Sequence, residues 1–176
     1  MLQRALVDSI GTLHAAGDFL GGVTVAGVPV GTDAFVLAEL RQTADQIVSD
    51  LQTTSSALRD DPQALWASVY YSMQHRFDDR LRHVPPHFVN HREVGHRIDE
   101  AVMDVVRGMT YSEMLPRGVV GFVHRRFRLP ARMRGCGIRS VVDVSYAAYC
   151  ACFVESVERM LDRWGHQSVI PGFFPM

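Results

Sequence analysis

Apolar residues recur every three or four positions along most of this 176-residue sequence, which is the period of an α-helix with one buried face. Thr32 is a typical N-cap, and so is Asp61, which Pro62 follows at the first helical position. The pair Pro85-Pro86 ends the second of these helices because neither ring nitrogen can donate a hydrogen bond. The period predicts four helices with these buried stripes: Val36, Leu40, Ala44, Ile47, Leu51 and Leu58; Leu65, Trp66, Val69, Tyr70, Met73, Phe77 and Leu81; Val94, Ile98, Val102, Val105 and Val106; Tyr146, Tyr149, Phe153, Val157, Met160, Leu161 and Trp164.

The remaining segments are shorter or less regular. Leu2, Leu6, Ile10 and Leu13 have helical spacing. Residues 23–30 are rich in β-branched side chains, with glycines at 21, 22, 27 and 31, which is typical of a strand or hairpin. Ser140 and Asp143 form a capping box before the last helix. The sequence thus predicts a mainly α, single helical domain over residues 1–176, a bundle of about five to six helices with one short β-hairpin. Its parts are 1–31, opening helix plus hairpin; 32–110, long antiparallel helices; 111–139, an arginine-rich segment of irregular pattern; and 140–168, the C-terminal helix.

Charge is distributed unevenly along the chain, although its net value is −1. Residues 1–70 hold 3 arginines against 8 acidic residues, residues 71–140 hold 13 against 7, and there is no lysine. The most basic segment, residues 117–139, contains no acidic residue, and Phe122 and Phe127 lie between its arginines. These arginines are Arg117, Arg125, Arg126, Arg128, Arg132, Arg134 and Arg139. Guanidinium groups bind phosphate in a bidentate manner and aromatic rings stack on bases, so this segment is a candidate RNA- or DNA-binding strip. The alternative is a surface that pairs with the acidic first third of the chain.

No pattern of catalytic or metal-binding residues stands out. His83, His87, His91 and His96 have nearly regular spacing, but Pro85-Pro86 interrupts any helix that would align them, so no metal site is predicted. The motifs of serine hydrolases, zinc proteases and P-loop nucleotidases are absent, and we expect no catalytic residue and no cofactor.

Cysteine content and hydropathy bear on the compartment. The three cysteines are an odd, sparse set, which favours a reducing, intracellular compartment, cytoplasmic or nuclear. The most apolar run, Tyr146–Val154, is nine residues long, whereas a membrane span needs about 20. We therefore expect no membrane partner.

Two segments resemble a known family. Residues 27–36 (Gly-Val-Pro-Val-Gly-Thr-Asp-Ala-Phe-Val) contain a "G-x-P-x-G" turn, and they are followed by residues 61–65 (Asp-Pro-Gln-Ala-Leu) and 82–86 (Arg-His-Val-Pro-Pro). Residues 129–140 (Leu-Pro-Ala-Arg-Met-Arg-Gly-Cys-Gly-Ile-Arg-Ser) are similar to an "LP-x-R-x-G-G-x-G-x-R-S" segment. In this order the segments resemble the part of a non-LTR retrotransposon reverse transcriptase downstream of its catalytic palm. The resemblance covers roughly Gly22 to Glu155.

The resemblance implies a thumb-like or connection-like helical piece that holds nucleic acid and is not catalytic alone. The family's two-metal catalysis uses palm aspartates in a Tyr-x-Asp-Asp turn, which is absent here and would by the resemblance lie upstream of Met1. A second hypothesis is a helical scaffold or protein-interaction domain without a nucleic-acid role. In that case self-association or a partner would cover apolar surface left exposed by a missing neighbour.

Overall fold

A computed structural model describes residues 21–86, 91–110 and 117–164, except for the side chains of residues 117, 118, 120 and 164. The predicted opening helix lies outside the described residues. The described part contains a two-stranded antiparallel hairpin, five α-helices of ten residues or more, one shorter helix and two 3₁₀ turns. These elements are β1 (Gly22–Val25), β2 (Val28–Gly31), α1 (Asp33–Ala57), α2 (Pro62–Tyr71), α3 (Asp78–His83), α4 (His91–Thr110), α5 (Arg117–Arg128) and α6 (Val141–Trp164), with 3₁₀ turns at Met73–His75 and Ala131–Met133. The predicted mainly α fold with one short hairpin is confirmed.

The hairpin closes through a two-residue turn. Ala26 and Gly27 both have positive φ, 49° and 85°, as a tight turn between right-twisted strands requires. The strands pair in register, with Val23 opposite Val30. The backbone amide of Thr32 then donates to the carbonyl of Gly21 at 2.8 Å, which fixes the hairpin at the start of α1.

The predicted helix starts of α1 and α2 are confirmed. The Thr32 hydroxyl accepts from the backbone amide of Phe35 at 3.4 Å, and Asp61 Oδ1 accepts from that of Ala64 at 3.0 Å. Each bond satisfies one amide that the first turn of a helix leaves without an intrahelical partner.

One hydrophobic core lies among the helices, with α1 packed along α4 and α3 packed against α6. The predicted stripe of α1 is buried from Val36 to Leu51, and all five predicted residues of the 94–106 stripe are buried in α4. Phe77, at 1% exposure, is the largest fully buried side chain among the described residues. The core is therefore built from the predicted faces of these helices.

The helix predicted between Pro62 and Pro85 is divided in the structure, and that prediction was wrong in its continuity. In an unbroken helix the carbonyl of Tyr70 would accept from the backbone amide of Gln74. Instead the side-chain amide of Gln74 donates to that carbonyl at 2.6 Å, and the backbone turns at Ser72. Gln74 is itself buried, and its side-chain oxygen accepts from the backbone amide of Arg139 at 2.9 Å.

The predicted buried face of α6 was also wrong. Among the described side chains of α6, only Val141 and Ser145 are buried. Tyr146 is 62% exposed, Phe153 41% and Met160 50%, whereas Tyr149, Val157 and Leu161 are half-buried. After its first turn and a half, the helix thus keeps several apolar side chains exposed.

Candidate nucleic-acid interface

Helix α5 forms where the sequence pattern is irregular, and one residue anchors it. Phe127 is buried, with its ring centroid 6.4 Å from that of Trp66, so it supplies core rather than a stacking surface. At 100° per residue, Phe122 and Arg125 lie on the opposite face of the helix and Arg126 lies to one side. Burial of Phe127 therefore directs these three residues to solvent.

The loop after α5 folds back on the end of the helix. Backbone amides of Cys136 and Ile138 donate to the carbonyls of Arg126 and Phe127, at 3.3 and 2.9 Å. These bonds satisfy carbonyls that a helix C-terminus otherwise leaves open.

Two glycines permit this close fold. A Cβ at Gly135 would lie 2.0 Å from the carbonyl oxygen of Leu129. Gly137 has a φ of +71°, which favours glycine, and its amide donates to the same carbonyl at 2.9 Å. Cys136 stands between them, half-buried against the core.

Helix and loop together form an open groove of about 530 Å³ on the surface. Its apolar surface is exposed: Phe122 is 60% exposed, Met133 58% and Leu129 39%. The residues that line the groove are Phe122, Arg125, Arg126, Leu129, Met133 and Arg134. The structure thus combines three of the predicted arginines with an aromatic ring and adds Leu129 and Met133, which sequence reasoning did not assign to a site.

Four of the seven predicted arginines have no acidic partner among the described residues. Arg126, Arg132 and Arg134 are exposed and make no ion pair with any residue of the described ranges. Arg125 donates through Nε to the carbonyl of Gly121 at 3.3 Å, which leaves its charge uncompensated. No described arginine of the run pairs with an acid of residues 21–70. The side chain of Arg117, the first residue of α5, lies outside the described part.

Arg139, in contrast to these four arginines, is paired within the fold. Its Nη1 donates to Asp78 Oδ2 at 2.8 Å and lies 2.8 Å from His75 Nδ1. Its backbone amide is the donor to Gln74 described above. Arg139 therefore fastens the end of the loop to the segment around α3.

Arg128 is also placed among acids, although less closely. Its guanidinium lies 3.7 Å from the carboxylates of Asp99 and Asp143. Both acids belong to the region where α6 begins, so this arginine is partly neutralised by the fold.

Asp99, which the sequence analysis did not single out, organises the start of α6. It is 4% exposed, and its two oxygens accept from the Ser140 hydroxyl at 2.5 Å and from the Val141 amide at 2.7 Å. Ser140 in turn accepts from the Asp143 amide at 3.2 Å, as the predicted cap requires. The signal available in the sequence was an aspartate beside Ile98 in an otherwise apolar helical stripe.

His124 lies on α5 and adds no charge at neutral pH. Burial, together with the neighbouring charges of Arg107 and Arg128, holds the pKa of His124 below its ordinary value. Nε of Arg107 donates to His124 Nε2 at 2.8 Å, which requires that nitrogen to be unprotonated.

The residues considered for metal binding remain apart. No group of three or more His, Cys, Asp or Glu side chains in the described ranges is arranged to hold a metal ion. His91 is buried, His83 Nδ1 lies 2.8 Å from the carbonyl oxygen of Asp79, and His87 lies outside the described residues. The three cysteines are free thiols. None of the described helices is both long enough and apolar enough to cross a bilayer.

Comparison of the chain with models of known protein families, with curated proteins and with solved structures finds no match. Functional inference therefore starts from the groove and the unpaired arginines around it.

Proposed function

We propose that the chain binds RNA or DNA through the groove formed by α5 and the loop after it, and that it is non-catalytic alone. The observation that supports the proposal is one groove lined by three arginines without acidic partners and by an exposed phenyl ring, with the exposed Arg132 in the same loop. This is also the function expected of a post-palm piece of a retroelement reverse transcriptase, which the sequence resembles.

The two kinds of side chain have different roles in the proposal. The guanidinium groups of Arg125, Arg126, Arg132 and Arg134 contact phosphate oxygens, and contact with the phosphates releases counterions from the strand. The ring of Phe122 provides a face on which an unpaired base can stack, a contact worth about 1–3 kcal/mol per base. Neither contact reads a base edge, so binding should show little sequence preference.

The salt dependence of binding follows from the number of arginines. With about four phosphates contacted on a single strand, the logarithm of the binding constant should fall with the logarithm of salt concentration with a slope of about −3. Raising salt from 50 to 200 mM should thus weaken binding about 50-fold. Replacing three arginines should reduce the slope to about −1.

Fluorescence anisotropy with a labelled single-stranded oligonucleotide tests the proposal. The test variant carries Arg125→Gln, Arg126→Gln and Arg134→Gln, and we expect it to lose most of the salt-dependent affinity. The control must change the net charge equally on other surfaces.

The control variant carries Arg41→Gln, Arg97→Gln and Arg159→Gln, whose arginines pair with Glu93, Asp45 and Glu155. It should keep most of the affinity and the slope. Equal losses in the two variants would mean that net charge, not the groove, attracts nucleic acid. No binding of RNA or DNA by the unaltered chain at low salt would reject the proposal.

The absence of catalysis is tested separately. With Mg²⁺, nucleotides and a primed template, the isolated chain should incorporate no nucleotide, because the sequence lacks the Tyr-x-Asp-Asp turn that would hold the metal ions. Template-directed extension of the primer would contradict this expectation.

A helical scaffold or protein-interaction domain is the second candidate function. The exposed apolar face of α6 favours it, because soluble monomers rarely leave a long contiguous apolar surface in water.

A further inference from the structure

Helix α6 carries apolar residues at the spacing of a coiled coil. Successive positions are alternately four and three residues apart, as the a and d positions of a heptad repeat are. We call these positions the α6 stripe: Tyr146, Cys150, Phe153, Val157, Met160 and Trp164. The charged residues Glu155, Glu158, Arg159 and Asp162 occupy the other side of the helix, and Arg159 pairs with Glu155 along it.

Helix α6 is anchored at its start, and four of the six stripe residues are exposed, whereas Val157 is half-buried. Val141 and Ser145 are buried in the body of the protein, whereas Tyr146, Cys150, Phe153 and Met160 are exposed. Val154, which flanks the stripe, is 55% exposed. Residues 146–164 span about 28 Å along the helix.

We propose that a second copy of this chain covers the α6 stripe, with the two helices antiparallel. The spacing reads the same in both directions, because it is symmetric about Glu155. An antiparallel copy therefore places Tyr146 opposite Trp164, Cys150 opposite Met160, and Phe153 opposite Val157. Each pair occurs twice, as the two-fold symmetry of a homodimer requires.

The position of the stripe along α6 favours the antiparallel arrangement over the parallel one. It begins one residue after Ser145, so two parallel copies would bring their bodies against each other at the same end. Antiparallel copies hold the bodies at opposite ends of the paired helices. The charged residues of the opposite side stay in water in this arrangement, and the pairing buries no unpaired charge.

The interface is small. A pairing of this length covers roughly 1,000 Å² in total, the lower end of specific interfaces, so we expect dissociation in the micromolar range. The proposal does not depend on nucleic-acid binding, since Phe122 and the groove arginines lie on another surface.

Sedimentation and light scattering of the full chain between about 1 and 200 µM test the proposal. The chain should pass from monomer to dimer, and Phe153→Glu should raise the dissociation constant at least about 100-fold, because a charge would be buried in the interface. Phe122→Glu is the matched control: Phe122 is 60% exposed but lies outside the stripe, so this variant should dimerise normally. Circular dichroism verifies that each variant keeps its helix content.

Either of two results would overturn the proposal. One is a chain that stays monomeric at every concentration. That result would refute the proposal whether the stripe is covered by residues 1–20, by residues 165–176 or by nothing. The other is a dimer that Phe153→Glu leaves intact.

Disulfide cross-linking tests the direction without a destabilising charge. In a background with Cys136→Ser and Cys152→Ser, Met160→Cys should cross-link to Cys150 of the second copy on mild oxidation. Without Met160→Cys, the two Cys150 thiols would be about 15 Å apart along the axis, too far for a disulfide. Efficient cross-linking through Cys150 alone would show a parallel pair and refute the antiparallel arrangement.

Discussion

Replacing Asp99 with alanine should remove a large part of the stability of this fold. The carboxylate is 4% exposed and accepts from the Ser140 hydroxyl and the Val141 amide, at 2.5 and 2.7 Å. Both donors belong to the start of α6, where the partial positive charge of a helix N-terminus also favours an anion. Alanine would leave both donors buried without a partner.

The expected loss can be estimated from these two bonds. A hydrogen bond to a buried charged group contributes about 1.5–3 kcal/mol, so Asp99→Ala should lower the free energy of unfolding by about 3–5 kcal/mol. Domains are stable by about 5–15 kcal/mol in total, so this variant should be near the limit of folding. Asp99→Asn keeps one acceptor oxygen and should lose about half as much.

Urea denaturation followed by circular dichroism measures these losses. The control is Asp104→Ala on the same helix, where the carboxylate is 67% exposed and pairs with Arg107 at the surface; its effect should stay within about 0.5 kcal/mol. Combining Asp99→Ala with Ser140→Ala should give less than the sum of the single losses, because the two residues share a bond. A loss below about 1 kcal/mol for Asp99→Ala would refute this account of how α6 is attached.

Three further predictions concern stability. Phe77→Ala should cost about 3–5 kcal/mol in urea denaturation because the ring is 1% exposed, whereas Tyr71→Ala, at 77% exposure, should change little. Gly135→Ala should lower the melting temperature by several degrees, since its Cβ would meet the Leu129 carbonyl at 2.0 Å; an unchanged melting temperature would contradict the loop geometry. Burial lowers the pKa of His91, so the unfolded chain binds the proton more tightly; stability from this residue is present above pH ~6.5 and is lost as pH falls through the folded-state pKa. Unfolding at pH 7.5 and 5.5 should show that loss, and His91→Leu should reduce it.

Helix starts were predictable because their chemistry is local. Thr32 and Asp61 cap the residues three positions ahead, so the information lies within one turn of sequence. The hairpin is local in the same sense, because Gly27 supplies one of its two positive φ angles.

Helix breaks and interruptions depended on distant contacts. The break before α3 follows from Gln74, whose side chain bonds both Tyr70 and Arg139, the latter 65 residues away. Conversely, Gly118 and Gly121 argue against a helix by propensity, yet α5 forms around them because Phe127 is buried against Trp66. Propensity is a weak term beside the burial of an aromatic ring.

Prediction of the exposed residues in the arginine run and in α6 is limited by the same physical fact. Spacing shows which residues share a face, but not what lies opposite that face in the fold. Arg139 becomes structural only because Asp78 lies 61 residues earlier in the chain, and Arg134 stays unpaired because its loop turns it outward. In the same way Tyr146 belongs to an apolar stripe, yet its side chain is 62% exposed, because the fully buried residues of that helix, Val141 and Ser145, precede it. A local run of one charge sign, or of apolar residues with one period, therefore gives only candidate binding residues. Contacts with distant parts of the chain decide which of them stabilise the fold and which stay on the surface, available to ligands.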